Sequence, residues 1–471
     1  MKKNYKELLS NTAVFAISNL LSKILLMLLL PIYTGELTTE QYGVVELATN
    51  ISLLIIPFVS LAIQDAVFRY TVDKSLNRNT VFKNAFWILV LGTSILLIIS
   101  SFLFLYDPLC DWRWWFWGFA SLNMIRSTLC LYAKGTDKTK VFAIDSILYN
   151  GFLAVNNIVF LVFLGYKIEG YFLSIIISQV ISIGYILYNV EKPNLKEIFT
   201  FPLDNDSIIK MLRYSTPLVL NSISWNLAHT TDRLMLDSMR NTSDVGIYSA
   251  ASKIPSLIST VMNIFVQAWT ISAIRNFTDK EAEKFYEKVF QFVQVLLVIV
   301  TLGIMMVNNR ILVILLGDDF KIAIKYTPIL MMATSVLFYS NFIGPVFSSV
   351  QKSKSLMYTT LIGTIFNVIL NYYLICNIGI LGACIATFIS NTIVSVLRMI
   401  LARKIFYFYV DWFRFLIGWL FIICACIATM NFENYSELII LGLIFCYLVI
   451  NKKNLKDLVN QIMKSVRGKK I

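Results

Sequence analysis

Runs of about 20 mostly apolar residues recur along nearly the whole chain, and that is the length a helix needs to cross the hydrocarbon core of a bilayer. Residues 84 to 106, 286 to 307 and 411 to 430 are the clearest cases. Hydrocarbon offers a backbone no hydrogen-bond partner, so a spanning segment must satisfy its own N–H and C=O groups, and the spacing here is not the alternation of a barrel. The runs are therefore expected to be helices. At 57% hydrophobic and 15% charged over 471 residues, the chain has more apolar surface than a soluble domain could hide. The fold class is an all-α polytopic membrane protein of about fourteen transmembrane helices. They are expected near 12-34, 41-66, 82-106, 112-133, 141-164, 169-190, 214-239, 245-273, 286-307, 324-350, 355-377, 380-402, 411-430 and 436-451.

The pattern repeats after about 200 residues. Gln41-Tyr42-Gly43-Val44-Val45 after the first span is echoed by Asp244-Val245-Gly246-Ile247-Tyr248 after the seventh. Asp137-Lys138-Thr139-Lys140 is echoed by Gln351-Lys352-Ser353-Lys354, and the following helices carry Asn157 and Asn371. A duplicated bundle suggests a transporter with two pseudo-symmetric six-helix lobes and a substrate path between them. The expected division is 1-190 for the N-terminal lobe, 191-213 for a cytoplasmic linker and 214-402 for the C-terminal lobe. Two additional helices follow over 403-451, then a basic tail over 452-471. Lys2, Lys3 and Lys6 before an apolar stretch look like a secretory signal, but that stretch is too long for one and belongs to the first repeat.

Most of the 41 Lys and Arg residues fall at the termini and in the even-to-odd connections. By the positive-inside rule both termini are expected in the cytoplasm. The formal charge of +13 is then a topology signal with attraction to anionic lipid, and nucleic acid is not an expected partner. Seven cysteines without metal-ligand spacing are expected to pack as small apolar residues, leaving no metal site. No phosphate-cradling Gly-x-x-x-x-Gly-Lys motif occurs, and the largest external loop, near 308 to 323, is small. Its Arg310, Asp318, Asp319 and Lys321 read as a solvated turn, and no enzyme activity or cofactor is expected.

Polar residues inside the helices carry the chemistry, because a charge at mid-membrane costs about 2.5 to 3.5 kcal/mol even on a lenient scale. On the seventh helix Ser222, Asn226, His229, Arg233 and Asp237 recur at helical spacing on one face, beside Asn221, Trp225, Ala228 and Asp232. The bland reading is that Arg233 and Asp237 neutralise each other and that His229 is a hydrogen-bonded bundle residue. The first helix repeats the arrangement with Thr12, Ala16, Asn19 and Lys23. Arg126, Lys253 and the line Thr360, Thr364, Asn367 and Asn371 add to the set, with Asp145 and Asn156 on the fifth helix. Glu46 and Asp65 are the expected counter-charges for Lys23 or Arg69, whereas Arg398, near a helix end, is expected to snorkel. Cations at depth in both halves suggest an anionic ligand, and a diphosphate matches Arg forks and a Lys point charge. The expected substrate-binding set is Lys23, Asn19, Arg126, Asn226, Arg233, Lys253, Asn367 and Asn371. Glu46, Asp65, Asp145, Asp232 and Asp237 are the ion-coupling candidates, with proton and sodium both open.

Asp232-Arg233-Leu234-Met235-Leu236, followed by Asp244-Val245-Gly246-Ile247-Tyr248-Ser249-Ala250-Ala251-Ser252-Lys253, resembles the seventh-to-eighth helix signature of polysaccharide biosynthesis proteins. These are the Wzx-type O-antigen and capsule repeat-unit flippases of the multidrug/oligosaccharidyl-lipid/polysaccharide exporter superfamily. Ser22-Lys23, Pro31-Ile32-Tyr33-Thr34, Glu40-Gln41-Tyr42-Gly43 and Ile378-Gly379-Ile380-Leu381-Gly382-Ala383 are similar too. The resemblance implies a V-shaped pair of lobes that works by alternating access in the bacterial cytoplasmic membrane. It implies an undecaprenyl-diphosphate-linked oligosaccharide as cargo for O-antigen, capsule or exopolysaccharide assembly, with a glycan polymerase and a chain-length regulator as partners. Pro57, Pro217, Pro255 and Pro345 are candidate bend points. The alternatives are a lipid II flippase, a drug/cation antiporter, against which the cations argue, and a membrane-embedded glycan polymerase.

Overall fold

The computed structural model describes residues 27–73, 75–191, 204–277, 281–350, 352–432 and 435–452, together with Ile198. Among them there is no strand. The helices are α1 (Leu30–Glu36), α2 (Thr39–Val59), α3 (Ile63–Asp73), α4 (Arg78–Phe102), α5 (Arg113–Gly135), α6 (Thr139–Asn157), α7 (Ile168–Asn189) and α8 (Asn205–Met239). They continue with α9 (Thr242–Asn276), α10 (Ala282–Leu315), α11 (Thr327–Ser349), α12 (Ser353–Ile378), α13 (Ile380–Arg403), α14 (Trp412–Asn431) and α15 (Ser436–Ile450). Ten helices among the described residues are long and apolar enough to cross a membrane, and the chain is a multi-pass membrane protein.

Local chemistry sets the ends. Thr38 and Gln41 form a reciprocal capping box at the start of α2, at 3.1 and 3.2 Å. Asp411 caps α14 by accepting from the Arg414 N–H at 3.2 Å. Asp204 caps α8 by accepting from the Ser207 N–H, so the seventh expected helix begins at Asn205 and not at 214.

The span expected over 41-66 is interrupted. Pro57 has no N–H, and three residues later the chain leaves the helix through Leu61 and Ala62, both with φ near +50°. The Ala62 N–H donates to the Pro57 carbonyl at 3.0 Å, and α3 restarts at Ile63. The fifth span ends in a π-helical turn, Ile158–Phe163, before Gly165 at φ 66°. The helices containing Pro217, Pro255 and Pro345 run on through them.

Packing divides the chain into two compact units, Met1–Gly246 and Ile247–Ile471. In the first, α8 packs on α2 and α3, α5 on α3, α4 and α7, and α6 on α7. In the second, α13 packs against both α11 and α12, while α10 packs on α14 and α15. Its core is aromatic: the Trp269 and Phe342 rings stack at 4.6 Å, and the Trp269 indole donates to the Phe342 carbonyl at 2.8 Å.

The repeated glycines have a physical reason. Within the first unit, a Cβ on Gly43 would overlap the carbonyl of Thr242, and one on Gly246 would overlap the carbonyl of Thr39. Each repeat copy thus contributes a glycine and a threonine carbonyl to one reciprocal contact, joined by a 2.7 Å hydrogen bond between Thr39 and Ser243.

Candidate functional site

The α2–α8 seam of the first unit brings several of the expected residues together. Pro57 cannot bond the carbonyl four residues back, that of Leu53, and an unsatisfied carbonyl is costly in a membrane. Asn226 on α8 fills the gap, its Nδ2 donating to the Leu53 carbonyl at 2.6 Å. Two turns further along α8, Arg233 faces Glu46 of α2, with Nε 4.0 Å from Oε2 and both side chains mostly enclosed. Asp232 beside it is buried. Tyr33 stacks on Tyr42 at 6.1 Å and meets Tyr171 at 5.1 Å, lining the Glu46 side of the seam with rings.

Asp237 is bound otherwise than the helical spacing suggests. Its carboxylate accepts from the Tyr106 hydroxyl and from Thr242 Oγ1 at 2.7 Å. Tyr106 sits between two short 3₁₀ turns after α4, a place that periodicity does not reach. The pairing of Arg233 with Asp237 is therefore corrected to Arg233 with Glu46. Glu46 is likewise not the partner of Arg69, which bridges Asp73 at 2.6 Å. Asp65 lies half-buried in the first turn of α3.

Arg126 belongs to a different cluster. Its Nη2 lies 2.7 Å from Asp145 Oδ2, its Nε donates to Ser182 Oγ at 2.6 Å, and its guanidinium covers the Tyr149 ring at 3.9 Å. Ser182 also donates to the other Asp145 oxygen, and Cys130 approaches the first at 3.3 Å. Asp145 is 1% exposed. The pair carries its own counter-charge and ties α5, α6 and α7 together. Asn156 donates to Ser178 at 3.0 Å, and Asn157 to the Tyr33 hydroxyl at 3.2 Å.

Lys253, Asn367 and Asn371 belong to the second unit. Lys253 is half-buried on α9, and Asn371 Nδ2 donates to Asn367 Oδ1 at 3.1 Å inside α12. Arg398 does not snorkel: it is 7% exposed and turned inward to α11 and α12. Asn19 and Lys23 lie outside the described residues, as do the side chains of Asn221, Trp225 and His229. In the 3₁₀ turn after α10 Lys321 meets Asp318 at 2.5 Å and holds its carboxyl below the ordinary range, while Arg310 pairs with Glu437.

The sequence pattern of the family described as "Polysaccharide biosynthesis protein" matches residues 8–275, more than half of the chain. The chain belongs to the polysaccharide biosynthesis protein family. A second pattern, MatE, matches residues 217–373. A relative, the "Probable low-salt glycan biosynthesis flippase Agl15" of Haloferax volcanii, is 24% identical over 257 residues, which are 53% of this chain and 50% of that protein. The alignment thus spans half the length of that relative. Among solved structures, the "Lipid II flippase MurJ, inward closed conformation" superposes with a TM-score of 0.71 at 13% identity, covering 95% of this chain and 100% of that one. An inward-facing multidrug resistance MATE family transporter of the MOP superfamily gives 0.66 at 15% identity, covering 83% and 97%. At such identities the likeness is one of fold.

For this polysaccharide biosynthesis family member, sequence reasoning missed Tyr106, Ser182 and Thr359. Each is uncharged, and each matters through a partner on another helix. Only for Ser182 does a signal exist: with Ser174 and Ser178 it forms a buried polar line at fourfold spacing on α7.

Proposed function

We propose that this protein is a flippase that moves a polyprenyl-diphosphate-linked oligosaccharide from the cytoplasmic to the external leaflet by alternating access. The observation that carries this reading is a cation-bearing polar face, Asn226 to Arg233, on α8 of a polysaccharide biosynthesis family member. The Agl15 relative, named as a glycan biosynthesis flippase, supports it. Arg233 is the leading ligand for the diphosphate, because its planar fork matches phosphate oxygens and it lies on the same α8 face as Asn226, next to Glu46. Lys23, Asn19 and Lys253 complete the proposed anion set, and Asn367 and Asn371 suit sugar hydroxyls. Arg126, paired with Asp145, is assigned in this reading to support of the first lobe. Glu46 and Asp232 are the proposed sites for a coupling ion.

The proposed organisation keeps the lobes 1-190 and 214-402, both termini cytoplasmic, and a bacterial cytoplasmic membrane location. A glycan polymerase and chain-length regulator would receive the product for O-antigen, capsule or exopolysaccharide assembly. The test is reconstitution into liposomes that carry a fluorescent polyprenyl-diphosphate oligosaccharide in both leaflets. Protein-dependent exposure of the inner-leaflet label to an external quencher supports the reading, and a label that stays protected refutes it. A lipid II flippase is the second reading, favoured by the superposition on MurJ. Rescue of a strain depleted of its lipid II flippase would select it.

A further inference from the structure

Arg398 on α13 is a buried cation held by neutral oxygens. Its Nε donates to Thr359 Oγ1 at 3.1 Å, and its Nη1 to the Ser340 carbonyl at 3.3 Å. Nη2 donates to Thr360 Oγ1 at 2.9 Å and to the Leu356 carbonyl at 3.5 Å. No carboxylate pairs with it among the described residues. Hydroxyls and carbonyls satisfy hydrogen bonds but carry no opposite charge, and a cation taken out of water without one is costly.

The surroundings add positive potential. Leu356 and Thr359 belong to the first two turns of α12, whose N-terminus carries the partial positive charge of the helix dipole. Lys354, in the first turn, and Lys352, just before it, form no ion pair among the described residues. Two hydrogen-bonding groups remain. A guanidinium has five N–H groups, and the contacts above engage four, leaving one on Nη1. The Ser340 hydroxyl, on the residue whose carbonyl receives Nη1, is enclosed and has no hydrogen-bond partner. The Nη2 edge is the less enclosed side, and it opens at Thr360, the first residue of the polar line that continues to Thr364, Asn367 and Asn371.

We propose that Arg398, with Thr360 and Ser340, forms an oxyanion-binding subsite of the second unit whose counter-charge is a phosphate group supplied by a ligand. Phosphate fits because one of its oxygens can accept from the remaining Nη1 N–H and the Ser340 hydroxyl, while Thr360, whose own hydroxyl donates to the Leu356 carbonyl at 3.0 Å, marks the less enclosed side. The subsite stands apart from the transport reading, since it requires a phosphate but not a glycan. Both a soluble diphosphate and the headgroup of an anionic phospholipid carry that chemistry.

The deciding variant is Thr360→Asp, which places an internal carboxylate against Nη2 as Asp145 stands against Arg126. The full chain in neutral detergent is melted with inorganic pyrophosphate and, separately, with phosphatidylglycerol, using phosphatidylcholine as the reference. At ligand concentrations well above the dissociation constant, wild type and Thr360→Ser should melt at least about 3 °C higher with one of the two probes. Thr360→Asp should melt at or above the wild-type temperature without ligand and lose the ligand-dependent rise. A rise with pyrophosphate assigns the subsite to soluble diphosphate groups, and one confined to phosphatidylglycerol assigns it to a headgroup. Arg398→Met, if it folds, should also lose the rise. The proposal is overturned if neither probe raises the wild-type melting temperature, or if Thr360→Asp responds as wild type does.

Discussion

Arg126 and Arg398 each tie three helices together, α5–α6–α7 in the first unit and α11–α12–α13 in the second, but with opposite electrostatic outcomes. Arg126 lies 2.7 Å from Asp145, so its cluster is neutral. Arg398 meets only hydroxyls and carbonyls, so its cluster stays cationic. Two arginines that look alike in a list of intramembrane charges therefore have different work available to them. Arg126 has a counter-charge within the protein, whereas Arg398 would take one from the proposed oxyanion. Arg233 stands between them, facing Glu46 across 4.0 Å.

The comparison can be broken most sharply at Asp145. Asp145→Leu leaves Arg126 buried without its anion and should cost about 3 to 5 kcal/mol, seen as loss of membrane abundance and a lower melting temperature. Adding Arg126→Leu should restore most of the loss. A single variant as stable as the double one would end the claim that the pair is a neutral unit. Arg398→Met should be milder, about 1 to 2 kcal/mol in the same melting assay, because it strands no charge. A larger loss than for Asp145→Leu would reverse the ranking of the two clusters.

Arg233 is next. Arg233→Lys, which keeps the charge and removes the planar fork, should slow flipping of a lipid-linked oligosaccharide by about tenfold, or about 1.4 kcal/mol, at unchanged abundance. Full flipping in this variant would place Arg233 with Arg126 among structural charges. The smallest effect is expected at Tyr106→Phe, about 1 kcal/mol or less, since Asp237 keeps its bond to Thr242. A folding defect as large as that of Asp145→Leu would make Asp237 a second neutral anchor.

Helix existence was legible because apolar length and 3.6-residue periodicity are properties of one segment at a time. The common direction of Asn226 and Arg233 toward α2 was legible for the same reason. Partners were not, because they come from other helices: the spacing of Arg233 and Asp237 suggested a bond, but Tyr106 and Thr242 reach the carboxylate instead. Arg398 was read by its distance from a helix end, which says nothing of whether its side chain faces lipid or Thr359. The interruption at Ser60–Ala62 follows Pro57 but depends on left-handed backbone at Leu61 and Ala62, which neither residue type favours. The bond from Asn226 to the Leu53 carbonyl was not legible either, because composition cannot reveal that a proline four residues past Leu53 leaves that carbonyl open to another helix.

The reciprocal contact of Gly43 with the Thr242 carbonyl and Gly246 with the Thr39 carbonyl bears on how such a chain can drift. Backbone atoms make both approaches, so side-chain repacking nearby cannot relieve a methyl group added at either glycine. Substitution elsewhere in the two halves is open to compensation by neighbours, as in any packed core. Divergence can therefore erase almost all visible kinship between the copies while two glycines, 203 positions apart, stay legible as the scar of the duplication.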